Sequence, residues 1–379
     1  MAMRAVLSML VGVLCAACCA SVLSGCRSQY ARLVDEDSIA SLAALKRELD
    51  RVPHRVVRVP TSGVSGTPIR VALHEIGPGD RPTLVVALHG VFADSGAWRF
   101  VAGDFARDHD LLLVDLPGAG ESDQPNPATA PESTYSLSDT TRRVLEALQI
   151  HLRTRAGPPP RVVLLGHSYG GALAIRMYAD KVLRRDFADV LEQVDALALV
   201  APLDVAVEKV HPLLIELSRV SGVEVWGARR LGLLRERVAE GMLESSFHPH
   251  RALRQEADAK IRVLSSDRAR RAMQAMLVRA IPSIGYRPDW ERIDPIVAAY
   301  KHVRPPTLII WGVHDEVLPV SMGYKLAAQL PAARLVTVAG ARHSLPVEQP
   351  ELVSSLIRDF LSGEPVGRVI PAPIEVGMP

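Results

Sequence analysis

With 379 residues, 48% of them hydrophobic and 23% charged, the chain has the composition of a soluble globular protein. It is long enough for one large α/β domain with an insertion, or for two domains. A formal net charge of +2 gives no reason to expect nucleic acid or a strongly acidic partner. All four cysteines, Cys15, Cys18, Cys19 and Cys26, precede residue 27, which excludes a disulfide framework, a cysteine metal site and a cysteine nucleophile from the rest of the chain.

Residues 1–24 place Arg4 ahead of a long apolar run reaching Val22 and Leu23, the pattern of an export signal. The run closes on Leu23-Ser24-Gly25-Cys26, which resembles the lipobox of bacterial lipoprotein signal peptides. That resemblance implies a signal peptide over 1–25, a lipid anchor on Cys26 and attachment to a membrane. Arg27 leaves no acidic residue next to Cys26, so the outer membrane or cell envelope is the expected location. An uncleaved transmembrane helix and an ordinary secretory signal stay open as alternatives, because the apolar run is long. Residues 26–53, polar with a helical segment near 38–49, read as a tether.

Strands begin near residue 54. His54-Arg55-Val56-Val57-Arg58-Val59 and Pro68-Ile69-Arg70-Val71-Ala72-Leu73-His74 alternate across a Gly-containing loop and predict an antiparallel hairpin. Buried strands are expected at 82–88, 110–115, 162–165 and 194–203, each an apolar run, with helices between them at 98–105 and 136–154. Alternating strands and helices predict a mostly parallel sheet covered on both faces, with chemistry at the carboxyl ends of the strands. From 204 to 303 the pattern changes: helices are expected over 205–220, 222–243, 250–262 and 266–281, with no convincing strand, and the segment reads as an inserted cap. The sheet resumes in 304–362, with strands at 307–312 and 334–340 and a closing helix at 351–361. The Pro-rich tail, 363–379, is expected to be disordered.

The organising stretch is Val162-Val163-Leu164-Leu165-Gly166-His167-Ser168-Tyr169-Gly170-Gly171, a strand run meeting a helix through G-H-S-Y-G. A serine in so tight a turn must adopt strained backbone angles, and Gly166 and Gly170 remove side chains that would collide across it. A serine hydroxyl becomes a nucleophile only when a base takes its proton and a carboxylate orients that base. Asp315 follows one later strand directly and His343 follows the next by a short loop. The order Ser168, Asp315, His343 is that of α/β-hydrolases.

Four further motifs carry the resemblance: His89-Gly90-Val91-Phe92, Asp115-Leu116-Pro117-Gly118-Ala119-Gly120-Glu121-Ser122, Trp311-Gly312-Val313-His314-Asp315, and Gly340-Ala341-Arg342-His343 through Pro350-Glu351. Over about 54–362 the chain resembles the capped α/β-hydrolase family of serine esterases, C–C bond hydrolases and epoxide hydrolases. The resemblance implies an α/β-hydrolase fold with a helical cap, Ser168 as nucleophile, His343 as general base and acid, and Asp315 as its orienting acid. It also implies an oxyanion hole from the backbone N–H groups of Val91 and Tyr169. No metal, flavin or nucleotide motif is evident in the sequence, so no cofactor is expected. Members that form alkyl-enzyme esters carry aspartate where Ser168 stands, so a small-molecule carbonyl substrate is expected. The leading reading is hydrolysis of a carboxylic ester of a small to medium apolar substrate. A C–C hydrolase acting on a vinylogous diketone, or a ligand-binding protein without turnover, are the alternatives.

Other polar residues receive plainer readings. Asp204 could replace Asp315 as the acid; Glu316 reads as solvated, and Glu121 and Asp123 as loop-structuring. His89 and His167 read as hydrogen-bonding residues beside the site, and His248 and His250 as cap surface rather than metal ligands. Trp226, Met242 and Phe247 could line a cavity or simply pack helices. Substrate length and oligomeric state are not encoded in any recognisable pattern.

Overall fold

A computed structural model describes residues 54–207, 211–246, 253–284 and 287–364, and the backbone of Val369–Ile370. The expected leader, Cys26, the tether, Phe247, His248, His250 and most of the tail lie outside the described residues.

Among the described residues nine strands form one sheet: β1 (His54–Thr61), β2 (Ile69–Ile76), β3 (Thr83–Leu88), β4 (Asp110–Asp115), β5 (Arg161–His167), β6 (Val194–Val200), β9 (Thr307–Gly312), β10 (Ala333–Val338) and β11 (Val369–Ile370). Their spatial order is β1-β2-β4-β3-β5-β6-β9-β10-β11. The hairpin β1–β2 is antiparallel, as is the pairing of β2 with β4, and every other pairing is parallel. The two residues of β11 add a rung beside Thr337 and Val338, inside the stretch whose prolines predict no regular structure.

The inner strands are apolar because both faces are covered. Leu84, Val86 and Leu88 share one core with Leu112, Leu164 and the helices α2 (Leu137–Thr154) and α3 (Tyr169–Ala179). Val85 and Ala87, pointing the other way along the same strand, join Val163, Leu165, Phe105 of α1 (Arg99–Phe105) and Ile357 on the closing helix. Short helices α4 (Lys181–Asp186) and α5 (Ala188–Leu191) link α3 to β6.

Between β6 and β9 lies the cap: α6 (Pro212–Arg219), α7 (Gly222–Arg230), α8 (Leu234–Ser245), α9 (Leu253–Ser265), α10 (Asp267–Val278), the small hairpin of β7 (Ser283–Ile284) and β8 (Arg287–Pro288), and α11 (Trp290–Ala298). The cap differs from the sequence expectation, which had no helix at α11, and three further differences have a local cause. The first helix starts at Pro212, capped by the His211 side chain, rather than at 205. The span 222–243 divides into α7 and α8, with Gly232 at φ +73° in the break. The hairpin is two residues per strand, too short to leave a period in sequence. The chain finishes with α12 (Val320–Gln329), α13 (Leu345–Glu348) and α14 (Pro350–Ser362). Among the described residues no helix is long and apolar enough to cross a membrane.

Candidate active site

Ser168 sits between β5 and α3 with φ +51° and ψ −115°, a backbone conformation that costs roughly 1–3 kcal/mol. The surroundings hold it there. Its N–H donates to the Val200 carbonyl at 3.0 Å, and its own carbonyl accepts from Gly171 at 3.0 Å and from Leu203 at 2.9 Å. A Cβ on Gly166 would lie 2.8 Å from the Gly170 oxygen, and one on Gly170 would overlap the Leu88 carbonyl. The glycines are thus a consequence of α3 crossing directly over β3 and β5. Tyr169, the first residue of α3, has an N–H with no intrahelical acceptor, at the positive end of the helix.

The His89-Gly90-Val91-Phe92 loop lies alongside. A Cβ on Gly90 would stand 3.2 Å from Ser168 Cβ, so the backbone leading into Val91 passes close to the serine. The buried His89 ring locks this loop: Nε2 accepts from the Leu116 N–H at 3.0 Å, leaving Nδ1 to donate to the Gly90 carbonyl at 2.7 Å. Burial lowers its pKa, consistent with a neutral brace.

Asp315 and His343 come together from the ends of β9 and β10. His343 Nδ1 and Asp315 Oδ2 are 2.7 Å apart, and Asp315 Oδ1 accepts from the Leu318 N–H at 2.8 Å. Both side chains are buried. Gly312 makes the approach possible, since a Cβ there would lie 2.5 Å from the Ala341 oxygen. His167 adds a contact that its sequence position only hinted at. Its Nε2–H donates to the His343 carbonyl at 3.0 Å, and the two rings are 5.1 Å apart. Burial, then the neighbouring His343, push the His167 pKa down to about 3, so the ring stays neutral near pH 7. Asp204 is engaged elsewhere, accepting from Tyr300 Oη at 2.7 Å and from the Ala206 N–H at 3.0 Å.

Residues 83–350 match the alpha/beta hydrolase fold family. The chain belongs to that family. It is 25% identical over 289 residues to the uncharacterized hydrolase YugF of Bacillus subtilis, a match covering 76% of this chain and 92% of that one. Among solved structures it is similar to the esterase RhEst1 from Rhodococcus sp. ECU1013, with a TM-score of 0.60, 24% identity and coverage of 83% and 99%. It is similar also to 2-hydroxy-6-oxo-6-phenylhexa-2,4-dienoate hydrolase from Rhodococcus sp. strain RHA1, with a TM-score of 0.63, 19% identity and coverage of 82% and 99%. The relatives support hydrolase activity as the general class.

In this α/β hydrolase the Asp115 loop is a scaffold for the site. Asp115 accepts from Ser95 N–H at 2.7 Å, Glu121 N–H at 2.8 Å and His74 Nε2 at 2.9 Å. Burial alone would raise the pKa of Asp115, but these hydrogen bonds, led by that of His74, bring it down to about 2. A Cβ on Gly120 would occupy the place of that carboxylate. Glu121 pairs with Arg58 and Asp123 with Arg70, the loop-structuring roles expected of them.

The cap is joined to the site by contacts that sequence reasoning missed. Met273 of α10 accepts the Phe92 N–H on its sulfur at 3.3 Å, at a residue with φ +55°. Arg342 donates to the carbonyls of Leu243 and Glu244, both at 3.0 Å, and lies 3.5 Å from the exposed Glu316. Ser344 N–H donates to the Ser245 carbonyl at 3.0 Å. The residues on either side of His343 therefore grip the last turn of α8. On the other flank Arg99 pairs with Glu256 of α9 at 2.8 Å. None of these has a motif; they are set by which helix end reaches which loop. Met242 is buried in the hydrophobic core, whereas Trp226 is 61% exposed.

Proposed function

We propose that the protein is a serine hydrolase that cleaves a carboxylic ester of a small to medium apolar substrate through an acyl-enzyme. The 2.7 Å pairing of His343 Nδ1 with Asp315 carries this reading. It assigns the ring proton to Nδ1 and leaves the Nε2 lone pair as the base. Nε2 takes the Ser168 hydroxyl proton as Oγ attacks the ester carbonyl carbon, and the charged ring is stabilised by the buried Asp315. The carbonyl oxygen, now negative, is received by the N–H groups of Val91 and Tyr169, each worth about 3 kcal/mol in such a role. The imidazolium returns its proton to the leaving alcohol. Water, deprotonated by the same nitrogen, then releases the acid from Ser168. Ser168 rather than aspartate at the elbow supports carbonyl over alkyl substrates. The leader and Cys26 support an exported domain tethered by lipid to the outer membrane or cell envelope.

Burst kinetics with p-nitrophenyl esters, from acetate to long acyl chains, test the chemistry. The expected result is a burst with a chain-length optimum, and a loss of turnover on the order of 10⁴-fold or more in Ser168→Ala with an unchanged thermal melt. Turnover that survives Ser168→Ala sinks the assignment. Cleavage of a vinylogous diketone without ester turnover moves the protein to the C–C hydrolases.

A further inference from the structure

One face of the cap has no part in that chemistry. Helix α7 is fixed at its start by a capping box, in which Ser221 Oγ accepts from Glu224 N–H at 3.2 Å and Glu224 accepts from Ser221 N–H at 2.7 Å. Val225 anchors its buried side. At about 100° per residue, Val223, Trp226, Gly227 and Arg230 fall within an arc of roughly 100° on the opposite side, and Leu231 follows at the C-cap. Val223, Trp226 and Leu231 are 78%, 61% and 59% exposed. A Cβ on Gly227 would have nothing within 4 Å, so the face is open at its middle. Arg230 holds its guanidinium 5.6 Å from the centre of the Trp226 ring, and the exposed Arg229 lies on the flank of the helix, about 60° outside that arc. Glu224, the one acidic residue of the helix, is drawn to the other end by the capping box.

We propose that this face docks on an anionic lipid bilayer, with Trp226, Val223 and Leu231 entering the boundary between headgroups and acyl chains and Arg229 and Arg230 meeting lipid phosphates. Two observations select this occupant. The first is charge: an apolar helix face edged by arginines complements an anionic surface, and tryptophan and arginine are suited to a boundary where one end is apolar and the other wet. The second is area. The three apolar residues expose roughly 400 Å² in all, enough to seat in the headgroup boundary, which unlike a stable protein interface of ~800 Å² per partner sets no minimum area. A lipid anchor at Cys26 would hold the domain beside a bilayer, and this face would set which way the cap looks.

The full chain is mixed with vesicles of phosphatidylglycerol and phosphatidylethanolamine that carry bromine on their acyl chains, and tryptophan emission is recorded. Trp98 and Trp311 are buried, which leaves Trp226 and Trp290 as the reporters within reach. The expected result is quenching that is lost in Trp226→Phe, kept in Trp290→Phe, and reduced several-fold in Arg229→Gln/Arg230→Gln or in phosphatidylcholine vesicles. Quenching that persists in Trp226→Phe overturns the proposal. So does an absence of quenching, whether light scattering then shows a dimer, with a second copy on the face, or a monomer. Thermal melts of the variants, which alter exposed positions, should match the parent. A failure of ester turnover in the parent counts against the hydrolase reading and leaves the quenching result standing.

Discussion

The sheet core and the cap put glycine and apolar residues to opposite uses. In the core, β3, β5, β6 and β9 are buried almost throughout, and at the carboxyl ends of β3, β5 and β9 backbone meets backbone with no space for a side chain. In the cap, α6 has no fully buried residue, α7 leaves Val223 and Trp226 in solvent, and Gly227 and Gly232 face open space. Residues in the first region are dictated by close contact inside the chain, so most alternatives are excluded by collision. In the second region the constraint comes from whatever the cap covers or touches. The two meet at the His343 loop, where Arg342 and Ser344 hold the end of α8.

The largest expected effect lies on the core side of that contrast. Gly170→Ala puts a methyl group into the Leu88 carbonyl and 2.9 Å from the His89 oxygen. Neither atom belongs to a flexible side chain; one ends β3 and the other begins the loop beside Ser168. To make room, α3 must lift from the sheet. Chemical denaturation should show a loss of at least about 3 kcal/mol, with turnover abolished in whatever remains folded. A variant with parental stability would mean that the elbow is looser than its glycines suggest.

At the joint the effect should be intermediate and local. Arg342→Ala removes two charge-assisted hydrogen bonds from the last turn of α8, each worth about 1.5–3 kcal/mol where the acceptor is buried and less here, since Arg342 is 24% exposed. Amide exchange should quicken across α8 while β5 and β9 keep their protection, and turnover should drop about tenfold as His343 loses its restraint. Arg342→Lys should recover part of this, because both bonds leave one nitrogen, Nη1, whose donors an ammonium can replace, whereas the approach of Nη2 to Glu316 is lost. Uniform exchange changes across core and cap would show that the two regions are not separable in this way.

The same contrast explains what could be read in advance. The strands of the core, the elbow at Ser168 and the hydrolase order of Asp315 and His343 were visible because each is a local pattern: an apolar run, a glycine spacing, a position just past a strand. Gly312 and Gly120 belonged to motifs in sequence, but their reason, the Ala341 carbonyl and the Asp115 carboxylate, is visible only in three dimensions. In the cap, α9 and α10 matched their expected spans within a few residues, whereas the break at Gly232 and the hairpin at 283–288 were illegible. Arg342, Met273 and Glu256 were missed for one shared reason. Each is defined by a partner some 100 or more residues away, and no periodicity records such a pairing.

The smallest expected effect has the opposite sign to the largest, from the same change of side chain. Gly227→Ala adds a methyl group inside helix α7 where nothing lies within 4 Å, so no contact is strained. The helix gains, because glycine there loses more backbone freedom on folding than alanine does, a difference of roughly 0.5–1 kcal/mol. The thermal midpoint should rise by roughly 1–3 °C with ester turnover unchanged. Should Gly227→Ala destabilise instead, the open face of α7 must be covered in solution by something that already fills the space beside Gly227. The bilayer would then have a competitor for Trp226, and the contrast between a closed core and an open cap would have to be redrawn at this helix.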